Sequence, residues 1–280
     1  MKIVFFGTPD YVLPVLKEVH KKFVVGPGIS PIVSIITQPP KPVGRKQILE
    51  YSAVDKWAHE RQIDTFYNPD ELLESNIDYD LGILASYGQI IKKEVIDSFS
   101  QGILVIHPSI LPQYRGASPI QTAIANMDQE TGVTVFKIDE KMDHGPIISQ
   151  FREEILSNDT FQSLRTRLFE KSAEFLVDLI PNYIKQKIKP KEQEHELATY
   201  TNMITKADGL VDLKKDNPVI IEAKLRAFSP WPGIWTYFKE KRIKILKAHL
   251  ELGRLIIDEV QLEGKNPVSY QQFKESYGEI

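Results

Sequence analysis

The sequence predicts an α/β domain built on a parallel sheet, followed by a small β-rich domain, on three observations. Short apolar runs alternate with stretches of helical periodicity as far as residue 155, the pattern of a helix-covered parallel sheet. Residues 185–196 (KQKIKPKEQEHE) are polar, charged and poor in apolar anchors, which reads as a linker. Strand-like runs follow that linker.

In chain order, residues 2–6 (KIVFF) form a short apolar run that meets Gly7-Thr8-Pro9-Asp10. Val12, Val15, Leu16 and Val19 follow at i, i+3, i+4 and i+7. This predicts a buried strand, a tight turn and a helix with Thr8 as N-cap and Pro9 at the first helical position. Pro14 delays or kinks that helix, because it lacks an N–H. Further strands are expected at 32–37, 81–85 and 102–107, with helical stretches near 53–60, 70–74 and 119–126. The β-rich runs 132–138 and 146–155 close the sheet as a meander or hairpin. Asp159 or Thr160 caps a long helix carrying Phe161, Leu164, Leu168, Phe175, Leu176, Leu179 and Tyr183, with Pro181 kinking or ending it. After the linker come a turn at 206–209, an amphipathic helix at 218–228 and strands at 235–238, 242–249 and 255–261. The domain boundaries expected are 1–186, a linker at 187–204, and 205–280.

With 42% hydrophobic and 26% charged residues the composition is that of a globular protein, which argues against disorder, collagen and coiled coil. There is no cysteine, so disulfides, thiolate nucleophiles and zinc-thiolate or iron–sulfur sites are excluded. The N-terminal apolar run is too short for a signal peptide and no run of about 18 apolar residues follows. The expected location is the cytoplasm, with no membrane partner.

Ligands of open parallel sheets sit outside the carboxyl ends of the strands. Three motifs fall there: Ser86-Tyr87-Gly88, His107-Pro108-Ser109 and residues 139–145 (DEKMDHG). His107 and Asp143 are therefore expected on one rim, where a His–Asp pair can fix an imidazole's orientation and protonation. The alternative is a strand-end histidine bonded to a backbone carbonyl and an aspartate capping a turn. The stretch Ser109-Ile110-Leu111-Pro112-Gln113-Tyr114-Arg115-Gly116, stiffened by Pro108 and Pro112, suits the wall of a ligand pocket.

At these residues the chain resembles the methionyl-tRNA formyltransferases, over essentially its full length. The resemblance is carried by residues 1–10 (MKIVFFGTPD), 38–45 (QPPKPVGR), 107–119 (HPSILPQYRGASP), 142–145 (MDHG), 205–213 (TKADGLVDL), 226–236 (RAFSPWPGIWT) and 259–270 (EVQLEGKNPVSY). The His-Pro-Ser-x-Leu-Pro-x-Tyr-Arg-Gly segment is specific for folate-dependent formyltransferases as a class. The 38–45 loop and the C-terminal Trp-Pro-Gly and Glu-Gly-Lys stretches favour the tRNA enzyme over those acting on amino sugars. The resemblance implies a Rossmann-like parallel-sheet formyltransferase domain followed by a small β-rich, OB-like C-terminal domain.

The resemblance further implies that 10-formyltetrahydrofolate is the co-substrate, with no metal, and that a formyl group moves to the amine of methionyl initiator tRNA. The amine attacks a formamide carbon, so the nucleophile arrives with the substrate and a cysteine-free chain is no obstacle. His107 would act at the formyl oxygen and in proton transfer, while Asp143 would orient His107 and help take the amine's proton. Ser109, Ile110, Leu111 and Pro112, with Tyr87, Gly88 and Ile90, would line the folate site; the alternative for Tyr87 is a packed core aromatic. A monomer is expected.

One position departs from the family pattern of asparagine two residues before the histidine: here it is Val105. Valine has no side-chain donor for an oxyanion, and losing one such donor costs about 10²–10³ in turnover. A slow enzyme, an enzyme with a substitute donor such as His144, and a non-catalytic folate- or tRNA-binding relative all remain open, as does an amino-sugar formyltransferase.

The formal charge of −3 at first argues against an RNA partner. Divided by segment it is a cancellation: residues 1–50 carry +4, 51–180 carry −10, 181–250 carry +6 and 251–280 carry −3. Lys41, Arg45 and Lys46 lie in the first basic segment, and by resemblance their loop would enter the acceptor arm of the tRNA. Trp231 and Trp235, beside a Pro-Gly turn, are expected in packing rather than in base stacking.

Overall fold

A computed structural model describes residues 1–24, 26, 30–44, 47–75 and 77–280. The first half runs β1 (Ile3–Gly7), α1 (Leu13–Phe23), β2 (Ile32–Ile36), β3 (Lys41–Val43), β4 (Ile48–Glu50), α2 (Ala53–His59), β5 (Asp64–Phe66), β6 (Leu81–Ala85), α3 (Lys93–Asp97) and β7 (Ile103–His107). The second half continues β8 (Arg115–Gly116), α4 (Pro119–Ala125), β9 (Glu130–Lys137), β10 (Ile147–Glu154), α5 (Phe161–Ile184), β11 (Tyr200–Thr201), α6 (Pro218–Phe228), β12 (Ile234–Phe238), β13 (Lys241–Glu251), β14 (Arg254–Leu262), β15 (Val268–Ser269) and α7 (Tyr270–Tyr277).

The main sheet has the order β10-β9-β7-β6-β1-β2-β5. β1 is parallel to both β2 and β6, β5 is parallel to β2 and β7 is parallel to β6, while β9 turns antiparallel to β7. β1, β6 and β7 lie inside the sheet, so their side chains are buried on both faces and their sequences are continuous apolar runs. From β1 the chain moves outward to β2 and β5, then returns to β6 on the other side. That reversal opens a crevice at the carboxyl ends of β1 and β6.

Proline sets how α1 starts. Asp10–Val12 form a single 3₁₀ turn behind Pro9, and the α-helix begins only at Leu13 with Pro14 in its first turn, where a missing N–H costs nothing. Ser52 caps α2 by accepting from the Asp55 N–H at 3.0 Å. The edge strand β5, the exposed β3–β4 hairpin and α7 lie outside the sequence expectations. For α7 a signal existed, since Ser269 and Gln272 form a capping box.

The chain divides into two compact units. Met1–Arg115, Gly132–Arg152 and Thr166–Thr199 form the first; Gly116–Thr131, Glu153–Arg165 and Tyr200–Ile280 form the second. The segment expected as a linker is split between them at Thr199 and Tyr200. Within the second unit β12, β13, β14 and β15 form an antiparallel sheet, whose inward residues Ile243, Val260 and Leu262 bury the Phe273 ring of α7. α4 packs against α6 in the same unit. Among the described residues no helix is long and apolar enough to cross a membrane, and no cluster of three histidine or acidic side chains could hold a metal ion.

Candidate active site

β7 delivers His107 to the carboxyl edge of the sheet, and its ring is buried, with 7% side-chain exposure. Nε2 lies 2.9 Å from the Tyr114 carbonyl. A carbonyl oxygen only accepts, so Nε2 carries the proton and donates. Nδ1 therefore faces the Asp143 carboxylate, 3.6 Å from Oδ2. That separation is outside direct hydrogen-bond range. The two readings of this histidine hold together: it is bonded to a backbone carbonyl, and it also confronts an aspartate. The hydrogen bond that orients the ring is the one to Tyr114.

Asp143 sits on the return from β9 to β10, with φ of +48°. Gly145 is required beside it, since a Cβ there would stand 1.9 Å from the Lys137 carbonyl oxygen. Asp139 closes the other end of this return by accepting from the Lys141 N–H at 2.9 Å and from His144 Nδ1 at 2.6 Å. His144, the candidate substitute donor, thus has Nδ1 committed and its ring stacked on His195 at 3.9 Å.

The wall expected from residues 109–112 is held by two side chains the sequence reading missed. Thr134, buried on β9 and paired with His107 across the sheet, donates to the Ser109 carbonyl at 2.7 Å and accepts from the Leu111 N–H at 3.0 Å. Gln150 on β10 donates to the Leu111 carbonyl at 2.9 Å and to the Thr134 hydroxyl at 2.8 Å. Ser109 is itself buried and donates to the Gln113 carbonyl at 2.6 Å. Pro112 is half-buried, and Ile110 reaches over Gly132, where a Cβ would come within 2.4 Å of it.

Val105, two residues before His107 on the same face of β7, joins Leu111 and Phe136 in an apolar cluster flanked by Leu84, Ile138 and Ile147. An amide at this position would meet only hydrocarbon among the members of that cluster.

The loop after β6 splits its three candidates. The Tyr87 ring is buried in the core beside Phe6, with centroids 6.0 Å apart, and burial with the nearby Glu71 charge pushes its hydroxyl up to about 12. What it presents is its carbonyl, which accepts from Gln38 at 3.3 Å. Gly88 adopts φ of +77°, and Ile90 is 94% exposed. Gln38 also accepts from Lys41 Nζ at 3.1 Å, which ties the base of the β3–β4 hairpin to this loop. Arg45 and Lys46 lie outside the described residues.

In the second unit Trp231 is 55% exposed, which overturns its expected burial. With Trp235, Lys206, Arg242 and Lys244 it lines a cavity of about 300 Å³. Trp235 is fixed by a 2.8 Å bond from Nε1 to the Lys206 carbonyl.

Comparison with known proteins gives matches along the chain. Residues 1–180 match the family described as formyl transferase, and residues 203–254 match formyl transferase, C-terminal domain. The chain is 34% identical to a methionyl-tRNA formyltransferase of Pelagibacter ubique, over 97% of this chain and 94% of that one. Among solved structures, a Helicobacter canadensis N-formyltransferase in complex with folinic acid and dTDP-3-aminofucose superposes with a TM-score of 0.70 at 20% identity, covering 90% of this chain and 88% of that one. A Clostridium thermocellum methionyl-tRNA formyltransferase gives 0.60 at 18% identity, covering 94% and 98%.

Proposed function

Because this chain belongs to the formyl transferase family and is an enzyme of that class, we propose that it moves a formyl group from 10-formyltetrahydrofolate to the α-amino group of methionyl initiator tRNA. The observation that carries this reading is the buried His107 with Nδ1 turned to Asp143 at the strand ends. The full-length likeness to a tRNA-acting relative supports the choice of acceptor.

Attack of an amine on a formamide carbon places negative charge on the formyl oxygen and a surplus proton on the amine. His107 serves both ends. With a proton on Nδ1 it donates toward the oxygen, and without one it accepts the amine's proton, while Nε2 stays committed to Tyr114 throughout. Asp143, whose carboxylate lies 3.6 Å from Nδ1, helps take the amine's proton. An α-amino group titrates at about 7.7–8.0, so a useful neutral fraction exists and modest base catalysis suffices.

The folate donor carries the formyl group on a nitrogen; as the tetrahedral oxyanion collapses, the bond from the formyl carbon to that nitrogen breaks and the nitrogen leaves with the proton His107 took from the amine. Ser109, Ile110, Leu111 and Pro112 form its wall, with Gly88 and Ile90 on the rim and Tyr87 contributing backbone. The fit rests on Ile90, a large apolar side chain left uncovered on the loop that follows β6. Lys41, Arg45 and Lys46 meet the tRNA acceptor arm, and the basic, tryptophan-lined face of the second unit meets RNA further along. Residues 1–186 then form the catalytic domain, 187–204 the connection and 205–280 the RNA-binding domain. The enzyme works as a monomer in the cytoplasm, with turnover reduced because Val105 replaces an oxyanion donor.

The test is incubation with 10-formyltetrahydrofolate and charged initiator tRNA, following N-formylmethionine, alongside a parallel reaction with an amino-sugar nucleotide. Formyl on the tRNA-bound methionine is expected. Formyl on the sugar alone rejects the acceptor, and tight ligand binding without transfer to either rejects catalysis.

A further inference from the structure

We propose that Gln193 is a positioning residue for Asp143, so that the segment expected as a passive linker sets the geometry of the catalytic pair. The proposal rests on the reading of Asp143 as a proton acceptor in formyl transfer.

The Gln193 carboxamide is buried, with the residue 5% exposed. Nε2 donates to the Asp143 carbonyl at 2.9 Å and to the Gly145 carbonyl at 2.7 Å. Oε1 accepts from Arg115 Nη2 at 2.6 Å and Nε at 3.2 Å. Both donors and both lone pairs of the amide are used, and no other uncharged side chain of this length offers that set.

Arg115, 1% exposed, is thereby turned to the catalytic return, and it also meets His195 Nδ1 at 2.9 Å. A guanidinium only donates, so His195 Nδ1 accepts. The His195 ring lies flat on His144, 5° from parallel, and His144 holds Asp139. Residues 193 and 195 thus grip both ends of the return that carries Asp143. The segment is anchored on each side: Lys191 and Ile147 exchange two backbone bonds at 2.8 Å, and the Thr199 carbonyl accepts from the Arg115 N–H at 2.9 Å. Thr199 Oγ1 also accepts from the N–H of Tyr114, the residue whose carbonyl orients His107. One stretch of chain therefore fixes both members of the pair.

The experiment is Gln193→Glu in the full chain. Glutamate keeps the length and the contact to Arg115 but replaces two N–H donors with an oxygen that repels the Asp143 and Gly145 carbonyls. Expected are a roughly 10- to 100-fold fall in kcat, from displacement of a catalytic group, and KM values for folate donor and charged tRNA within about threefold of the parent. In an Asp143→Asn background the same change is expected to alter kcat less than about twofold, because two residues acting as a unit are not additive. Hydrogen exchange over residues 139–145 is expected to accelerate at least about tenfold, whatever the activity. Should Gln193→Glu fail to fold, Gln193→Asn shortens the same amide by one methylene and is expected to show the same pattern at smaller size. Unchanged kcat or exchange, or an equal loss in both backgrounds, overturns the proposal. Full activity of Asp143→Asn alone overturns the underlying reading of Asp143 instead, and the exchange result then decides whether Gln193 holds the return.

Discussion

The Tyr114 carbonyl holds the proton of His107 Nε2 at 2.9 Å, and this leaves Nδ1 as the nitrogen that confronts Asp143. The nitrogen left facing Asp143 is chosen by a main-chain acceptor seven residues downstream. His107→Gln and Asp143→Asn are therefore expected to lower kcat by about 10²–10⁴, with little change in KM, as removal of acid–base groups does. Steady-state formylation assays check this, and a KM effect with kcat intact would point to ligand holding instead.

Val105→Asn is expected to raise kcat by about tenfold or more if oxyanion stabilisation limits turnover. The same change places an amide in the cluster of Leu111, Phe136 and Leu84, so a stability loss of about 1–3 kcal/mol should accompany it. Turnover and thermal unfolding, measured together, separate the two effects. An enzyme that is destabilised without being faster rules out the missing donor as the bottleneck.

Replacing Lys41 with alanine is expected to weaken charged-tRNA use while leaving KM for the folate donor unchanged. The slope of log kcat/KM against log salt should fall by about one phosphate contact. A salt slope equal to the parent's would place Lys41 off the RNA.

Tyr87 carries a pH prediction. Its folded hydroxyl is pushed up to about 12 by burial, above its ordinary value near 10. A raised value means that the unfolded chain loses the proton first, so this contribution is complete below pH 10 and disappears as pH climbs toward 12. Tyr87→Phe should flatten the alkaline limb of the stability curve in that window and leave the neutral region little altered. Denaturant melts from pH 8 to 12 read the difference.

Gly145→Ala is expected to cost about 1–3 kcal/mol and most of the activity, because the added carbon would collide with the Lys137 carbonyl and must displace the return carrying Asp143. Activity retained at full stability would mean that the return relaxes without moving Asp143.

How far the sequence reaches depends on the kind of interaction. β1, β6 and β7 are readable because strands buried on both faces must be apolar throughout, and that requirement is written residue by residue. The β3–β4 hairpin and β5 carry no such requirement: their residues are exposed or half-buried, so no alternation marks them. His107 and Asp143 follow from strand ends and motif spacing, and the cancelling charge of its segments also belongs to the sequence alone.

Only the tertiary structure decided what holds those two residues. The Tyr114 carbonyl has no residue signature, Thr134 and Gln150 look like ordinary strand polar residues, and Gln193 reaches Arg115 across 78 positions of chain. The sequence by itself determined which chemical groups the protein owns and which strand ends deliver them. Which nitrogen of His107 faces Asp143, and what holds the return that carries Asp143, came from main-chain acceptors and long-range amide contacts that exist only once the chain has folded.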